Sequence, residues 1–328
     1  MNPKKIKNIF DSFKEKKVLI IGDSMIDDYM WGNINRMSPE APVPVIDIEK
    51  YEMRLGGAAN CALNIKSLGA KPILCSVIGN DDKGKKFNSL LKESKLSNEA
   101  IISSNHRKTT IKTRVIAEGR HQIRIDNEDK QPINKKIEEK IIEITNNLLK
   151  QIDVIILQDY NKGVLTKRII SKIINNSKNN NIPVIVDPKK DNFLEYKNCD
   201  IFKPNLTEIK EGMGVIFNEK NQNELIDNTS KLRNLISAKS VLLTLSSLGL
   251  CINSNTGFIY SPTYGGKVVD VSGAGDTVIS IASLLYSSKV NFNDIAKISS
   301  IAGGIVCQKV GVVPINFNDL LTETLKLY

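Results

Sequence analysis

Short, unbroken apolar runs alternate with segments of helical period along most of the chain, and that rhythm predicts an α/β fold. Residues 18–21 read Val-Leu-Ile-Ile and stop at Gly22-Asp23. A run of this kind suits a strand covered on both faces. The same reading applies to 72–78, 154–157, 184–186, 201–202 and 241–245. Helices are predicted over 58–68, around 84–91, over 137–150 and near 167–176, where apolar residues recur every three to four positions. Two segments behave differently. Residues 43–55 (Val43, Val45, Ile46, Ile48) and 110–125 (Ile111, Val115, Ile123, Ile125) alternate apolar with polar, as half-exposed antiparallel strands do. Strands interleaved with helices imply a mainly parallel central sheet between two helical layers, a three-layer α/β/α fold. The alternating pieces, at about 28–55 and 108–127, would form a small antiparallel β lid. No Pro/Gly/Ser linker and no internal repeat divides the chain. The expectation is a short N-terminal extension, residues 1–16, and one domain over 17–328.

Composition narrows the class. A chain of 328 residues that is 41% hydrophobic can bury a large core, and no stretch approaches the roughly 20 apolar residues of a membrane span. Residues 1–17 are basic and polar, without the apolar centre of a secretory signal. Five cysteines (Cys61, Cys75, Cys199, Cys251, Cys307) show no C-x-x-C pair, which argues for reduced thiols and a cytoplasmic protein. Two histidines, His106 and His121, are too few for a typical zinc site or a histidine-based charge relay. The formal charge is +10, yet aromatics make up only 5% and the lysines are scattered. That pattern reads as solvated surface and not as a nucleic-acid stripe, and a positive field favours anionic substrates.

The most informative stretch is 268–285, Val-Val-Asp-Val-Ser-Gly-Ala-Gly-Asp-Thr followed by a helical apolar period. A strand at Val268-Val269 is expected to enter the turn Gly273-Ala274-Gly275. Glycines at the start of a helix let backbone N–H groups converge where the helix dipole is positive, which makes a phosphate site. Asp276 puts a carboxylate beside that anion hole. It reads as a base that takes the proton of an attacking hydroxyl, or more simply as a helix-capping residue. Other polar residues also gather just past strand ends: Asp23, Asp159, Asp187, Asn205 and Ser246. That edge is where open α/β sheets bind ligands. Asp23 and Asp27, with Gly56, Gly57 and Asn60, suggest a sugar or polyol pocket, although Asp27 and Asp28 also suit a solvated turn. In Asn205-Leu-Thr-Glu208, Thr207 suits a helix cap. Asn205 and Glu208 suit the water shell of a magnesium ion that bridges nucleotide phosphates.

Taken together these segments resemble the ribokinase-like (PfkB) carbohydrate kinases. Gly273-Ala-Gly-Asp276 is similar to that family's C-terminal signature, Gly56-Gly57-x-x-Asn60 to its N-terminal one, and Asn205-x-x-Glu208 to its magnesium motif. The order and spacing fit from Lys17 to Pro314. Residues 22–27, 36–44, 159–163, 187–189 and 203–208 look closest to one branch, the D-glycero-β-D-manno-heptose-7-phosphate kinases. These are often found as the kinase domain of a bifunctional ADP-heptose synthase. The resemblance implies a ribokinase-like fold with an eight- or nine-stranded sheet and a lid through which members often dimerise. It implies ATP and Mg²⁺, and phosphoryl transfer to O1 of the heptose 7-phosphate in the synthesis of a lipopolysaccharide core precursor. Asp276 would be the base and residues 273–275 the anion hole. Lys189, Asn205, Glu208, Ser246 and Gly249 would lie at the nucleotide, and a monovalent cation such as K⁺ is known near the position of Asp270 in some members. Ser272 stands where the family usually has Thr, which keeps the hydroxyl. The bifunctional relatives carry a nucleotidyltransferase with a His-x-Gly-His motif that these 328 residues do not contain. A separate nucleotidyltransferase and phosphatase are therefore expected to act downstream.

An anionic sugar needs cations. Lys112, Arg114 and Arg124 fall at alternating positions of the lid strands, so they can share a face and hold the 7-phosphate, or simply solvate an exposed sheet. Two other functions remain open: a kinase for another sugar, sugar phosphate or nucleoside, and a non-catalytic sensor that keeps the fold. No nucleic-acid or membrane partner is expected.

Overall fold

A computed structural model describes residues 1–266 and 268–328. In chain order, helix α1 (Pro3–Ser12) leads to β1 (Lys17–Gly22), the long strands β2 (Ser24–Met37) and β3 (Pro44–Gly57), α2 (Ala58–Ser67), β4 (Lys71–Gly79), α3 (Asp82–Glu93) and β5 (Ile101–Ser104). The hairpin β6 (Ile111–Ala117) and β7 (Arg120–Asn127) follows, then α4 (Lys135–Leu148), β8 (Val154–Gln158), α5 (Lys167–Asn179), β9 (Val184–Asp187) and β10 (Ile201–Phe202). The last part holds α6 (Leu206–Met213), α7 (Gln222–Leu235), β11 (Ser240–Thr244), β12 (Leu250–Ser254), β13 (Gly257–Ser261), α8 (Ala274–Ser287), α9 (Phe292–Val306) and α10 (Phe317–Leu327).

Nine strands form the central sheet in the order β13-β12-β11-β10-β9-β8-β1-β4-β5. From β11 to β5 every pairing is parallel, and β12 and β13 add an antiparallel edge. Alternate residues of the same strands feed two cores. Val18, Ile20, Val154 and Ile156 pack under α1, α2, α8, α9 and α10, while Leu19, Ile21, Ile155 and Leu157 pack under α4, α5 and α7. Burial on both faces is why these strands read as unbroken apolar runs. The fold is ribokinase-like, as expected.

Four strands, β3-β2-β6-β7, make the lid. Two of its three pairings are antiparallel, as the alternation predicts, but β2 and β6 run parallel. A parallel pair needs a long crossover, and here β3 to β5 supply it.

The structure bears on three further readings. Residues 1–16 are more than an extension. Asn2 caps the first turn of α1 through the Lys5 amide at 2.8 Å and Pro3 opens the helix, while Ile6, Phe10 and Phe13 are fully buried. The Phe10 ring meets Phe317 of α10 edge-on at 5.7 Å. Val268 and Val269 are not a strand. They are half-exposed, and among the described residues the Val269 amide, like that of Asp270 beside it, bonds to Cys307 O without forming a ladder. Asp27 and Asp28 sit inside β2, both buried, and not on a solvated turn.

Candidate active site

The anion hole forms at the carboxyl edge of the central sheet. Gly273 adopts φ +77°, a left-handed conformation that precedes α8, and a Cβ there would meet Asn60 Nδ2 at 3.0 Å. The Ala274 amide is taken by Val271 O and the Thr277 amide by Gly273 O. Among the described residues, the Gly275 and Asp276 amides remain the first-turn donors for an anion.

Asp276 is 3% exposed in that first turn. Asn60 Nδ2, from α2, donates to its Oδ2 at 2.7 Å. The Tyr160 hydroxyl donates to Oδ1 at 2.7 Å and Gln158 Nε2, at the end of β8, donates to Oδ1 at 3.2 Å. Burial pushes the carboxyl up to about 6, opposed by the Asn60 and Tyr160 donors, helped by nearby Asp187 and opposed again by Lys203. The result is a carboxylate ionised at neutral pH yet basic enough to receive a proton. Burial also drives the Tyr160 hydroxyl well above its usual value, with Asp276 adding to the effect, so Tyr160 stays protonated and donates. The carboxylate therefore does not act as the cap of α8; the residue preceding the helix is Gly273.

Beside it lies a second charged group. Asp187, ending β9, pairs with Lys203 just past β10 at 3.0 Å, and both side chains are buried. Gln158 Nε2 also donates to Asp187 Oδ2 at 3.1 Å. Gly275 faces this pair: a Cβ there would lie in ordinary contact, 3.5 Å from Lys203 Nζ and 3.7 Å from Asp187 Oδ2. Lys189 lies over the Tyr160 ring at 5.6 Å and ion-pairs with Glu208. Burial lowers Lys189, but Asp187 and Glu208 outweigh it and hold the ammonium above its usual value.

Asn205 and Glu208 sit where expected, with a local role that sequence reasoning did not give them. Together they form the capping box of α6: Asn205 Oδ1 accepts from the Glu208 amide and Glu208 Oε2 accepts from the Asn205 amide, both at 2.8 Å. The cap thus explains the pairing of Asn with Glu, and Thr207 is not the capping residue. No cluster of three His, Cys, Asp or Glu that could cage a metal occurs among the described residues. One carboxylate and one amide nonetheless fit a magnesium ion that keeps most of its water and leans on substrate phosphates.

Other expected residues take different places. Asp23 is not free to bind hydroxyls. Its buried carboxylate accepts the amides of Tyr160, Lys162 and Val164 at 2.9–3.1 Å and so anchors the loop after β8. Asp27 lies over Gly56, where a Cβ would stand 2.1 Å from its Oδ2, and pairs with Arg114. Gly57, at φ +61°, opens α2 because a Cβ would strike Asp23 O at 2.4 Å. Asp270 accepts the Ser272 and Gly311 amides, one at each oxygen and each at 2.8 Å, which joins two loops. Gly249, at φ +100°, and exposed Ser246 line the turn after β11. Lys112, Arg114 and Arg124 do share a lid face, since β6 pairs Arg114 with Arg124 and Lys112 with Asp126. Each is already matched: Lys112 with Asp126 and Glu128, Arg114 with Asp27, Arg124 with Asp126. Gln158, Tyr160 and Lys203 escape sequence reasoning as site residues. Their signal is position, at a strand's carboxyl end or within two residues past it.

A helix-borne anion hole with a buried carboxylate beside it, at the carboxyl edge of a ribokinase-like sheet, defines a phosphoryl-transfer enzyme. The chain belongs to the pfkB family of carbohydrate kinases, whose domain it matches over residues 15–316. Membership of that family makes it a carbohydrate kinase, a phosphotransferase with an alcohol group as acceptor. The Bifunctional protein HldE of Campylobacter curvus is 36% identical over 307 residues, which cover 94% of this chain and 64% of that protein. HldE of Citrifermentans bemidjiense is 34% identical over 324 residues, 98% of this chain and 66% of that protein. The chain thus spans just under two thirds of the length of these curated relatives. Escherichia coli phosphofructokinase-2 in complex with fructose-6-phosphate superposes with a TM-score of 0.78 at 15% identity, over 95% of this chain and 99% of that one. Arabidopsis thaliana ribokinase complexed with ribose and ATP gives 0.73 at 19% identity, over 95% and 98%. At such identities the structural likeness speaks for the fold. No helix among the described residues is long and apolar enough to cross a membrane.

Proposed function

We propose that this chain transfers the γ-phosphoryl group of ATP to O1 of D-glycero-β-D-manno-heptose 7-phosphate, giving the 1,7-bisphosphate. The observation that carries the chemistry is Asp276, buried and held at its oxygens by Asn60, Tyr160 and Gln158 beside the Gly273–Gly275 turn. Asp276 takes the proton as the sugar oxygen attacks phosphorus, and the Gly275 and Asp276 amides steady the transferred group. The heptose reading has two supports: the five segments that resemble the heptose-7-phosphate kinase branch, and the HldE relatives that match 94% and 98% of this chain.

Asp27, Gly56, Gly57 and Asn60 bound the sugar pocket in this reading, and Lys112, Arg114 and Arg124 of the lid receive the 7-phosphate. Lys189, Ser246 and Gly249 border the nucleotide. Asn205 and Glu208 would hold Mg²⁺ through water, and the metal would neutralise charge on the nucleotide phosphates. The kinase unit is one domain over 17–328 with α1 packed onto it. The lid's other face leaves Tyr51, Ile123 and Ile125 more than half exposed, a surface suited to pairing with a second copy's lid.

ADP release measured across a panel of sugars tests the reading. Heptose 7-phosphate should be preferred sharply over fructose 6-phosphate, ribose and nucleosides. Equal rates on an unphosphorylated sugar would remove the heptose 7-phosphate assignment and leave the sugar kinase. A preparation that turns over none of them would favour the sensor.

A further inference from the structure

Gln158 is 1% exposed at the end of β8, and its side chain has a fixed orientation. The Cys61 thiol of α2 donates to Oε1 at 3.4 Å, which leaves Nε2 to reach Asp276 Oδ1 at 3.2 Å and Asp187 Oδ2 at 3.1 Å. One carboxamide thus spans two buried carboxylates. Among the described residues, Asp276 Oδ1 accepts from both Gln158 and Tyr160, whereas Oδ2 accepts from Asn60 alone. A carboxylate oxygen has two lone pairs, so Oδ1 is filled and Oδ2 keeps one open.

We propose that Gln158 is a positioning residue, whose amide ties Asp276 Oδ1 to Asp187 so that Oδ2 receives the proton of the acceptor hydroxyl. The inference rests on the reading of Asp276 as the base. In the step, the hydroxyl proton passes to Oδ2 as the sugar oxygen forms its bond to the γ-phosphorus. The bond from that phosphorus to the bridging oxygen breaks, and ADP carries away the electron pair. Gln158 forms and breaks no covalent bond. It holds the oxygen that does not react and places N–H density between two negative groups.

The groups facing Asp276 are Cys61 of α2, Tyr160 after β8, Asp187 and Lys189 after β9, and Lys203 after β10. Of these, Asp187 opposes ionisation of Asp276, and Gln158 is the neutral group that bonds to both. Loss of the amide removes a donor from the ionised form and leaves the repulsion from Asp187 unbridged. Both changes favour protonated Asp276.

The test is the pH dependence of kcat/KM for the sugar in the wild-type protein, Q158M and D276N. Methionine keeps the length and bulk of Gln without its amide, and Q158L, also apolar and of similar bulk, stands in if Q158M does not fold. The expected result is an acid limb about one to two pH units higher in the Gln158 variant, the size of one hydrogen bond to a charged group. ATP affinity, followed by calorimetry, should stay within about twofold of the wild type. A uniform rate loss with the limb unmoved would overturn the positioning role while leaving Asp276 as base. Wild-type-like turnover by D276N would instead remove Asp276 from the mechanism and the inference with it.

Discussion

Asp276 at the sheet edge and the cations of the lid are held in opposite ways. At the edge, Asp276 is buried and receives neutral donors from α2, from β8 and from the loop after β8, all anchored in the core. On the lid, Lys112, Arg114 and Arg124 are each neutralised by a carboxylate of the lid itself, and the Arg124 side chain is 61% exposed. Neutral donors tune a carboxylate without cancelling its charge, which suits a base. Ion pairs cancel charge until an anion competes for the cation, which suits a surface that meets a phosphorylated substrate.

The sharpest way to break this contrast is at Asp276. Asp276→Asn keeps the side-chain shape and should lower kcat by about 10²- to 10⁴-fold with ATP still bound, as measured by ADP release and calorimetry. In the proposed mechanism Asp276 works ionised and burial pushes its carboxyl up to about 6, so kcat/KM should fall as pH drops through 6 and level off above it. A flat profile between pH 5 and 8 would show that the edge does not work by proton transfer to Asp276.

Arg114 gives the largest effect expected on the lid. Its guanidinium pairs with Asp27 and lies 5.4 Å over the Tyr29 ring. Burial pushes the Asp27 carboxyl up, and Arg114 opposes that push. Arg114→Met would strand the Asp27 carboxylate and cost about 3–5 kcal/mol, read as a lower denaturant midpoint. An unchanged midpoint would mean that the lid carries its buried charge unaided.

Lys112→Ala should act more selectively. Loss of a charged hydrogen bond would weaken heptose 7-phosphate by about 1.5–3 kcal/mol and scarcely touch the dephosphorylated sugar. Comparable losses on both would assign Lys112 to lid architecture through Asp126 and Glu128.

The smallest change is Glu208→Gln. Gln can still close the capping box, so α6 should persist, while the partner charge of Lys189 disappears. The Mg²⁺ concentration for half-maximal rate should rise with sugar KM unchanged. A selective rise in sugar KM would move Glu208 out of the metal region.

Much of the fold is legible in the sequence because the central strands are apolar on both faces and the lid strands on one. β1, β4, β8 and β9 follow directly from such runs. β2 does not: residues 24–37 mix Asp27, Asp28, Asn33 and Arg36 with apolar positions, and their strand depends on pairing with β3 and β6. Val268 and Val269 show the converse, strand-like residues that find no ladder.

The sequence by itself determined the α/β/α layering, the alternating lid strands and the anion-hole turn, because each rests on local period or on glycine's backbone freedom. Only the tertiary structure decided which polar groups converge. Gln158 lies 118 residues from Asp276 in the chain and Asn60 lies 216 from it, and their distances to it depend on the stacking of strands. The same holds for Asp23, whose carboxylate accepts loop amides 137 to 141 residues away. A side chain's type sets what it can donate or accept. Its partner is set by the register of the sheet, which brings distant strand ends side by side.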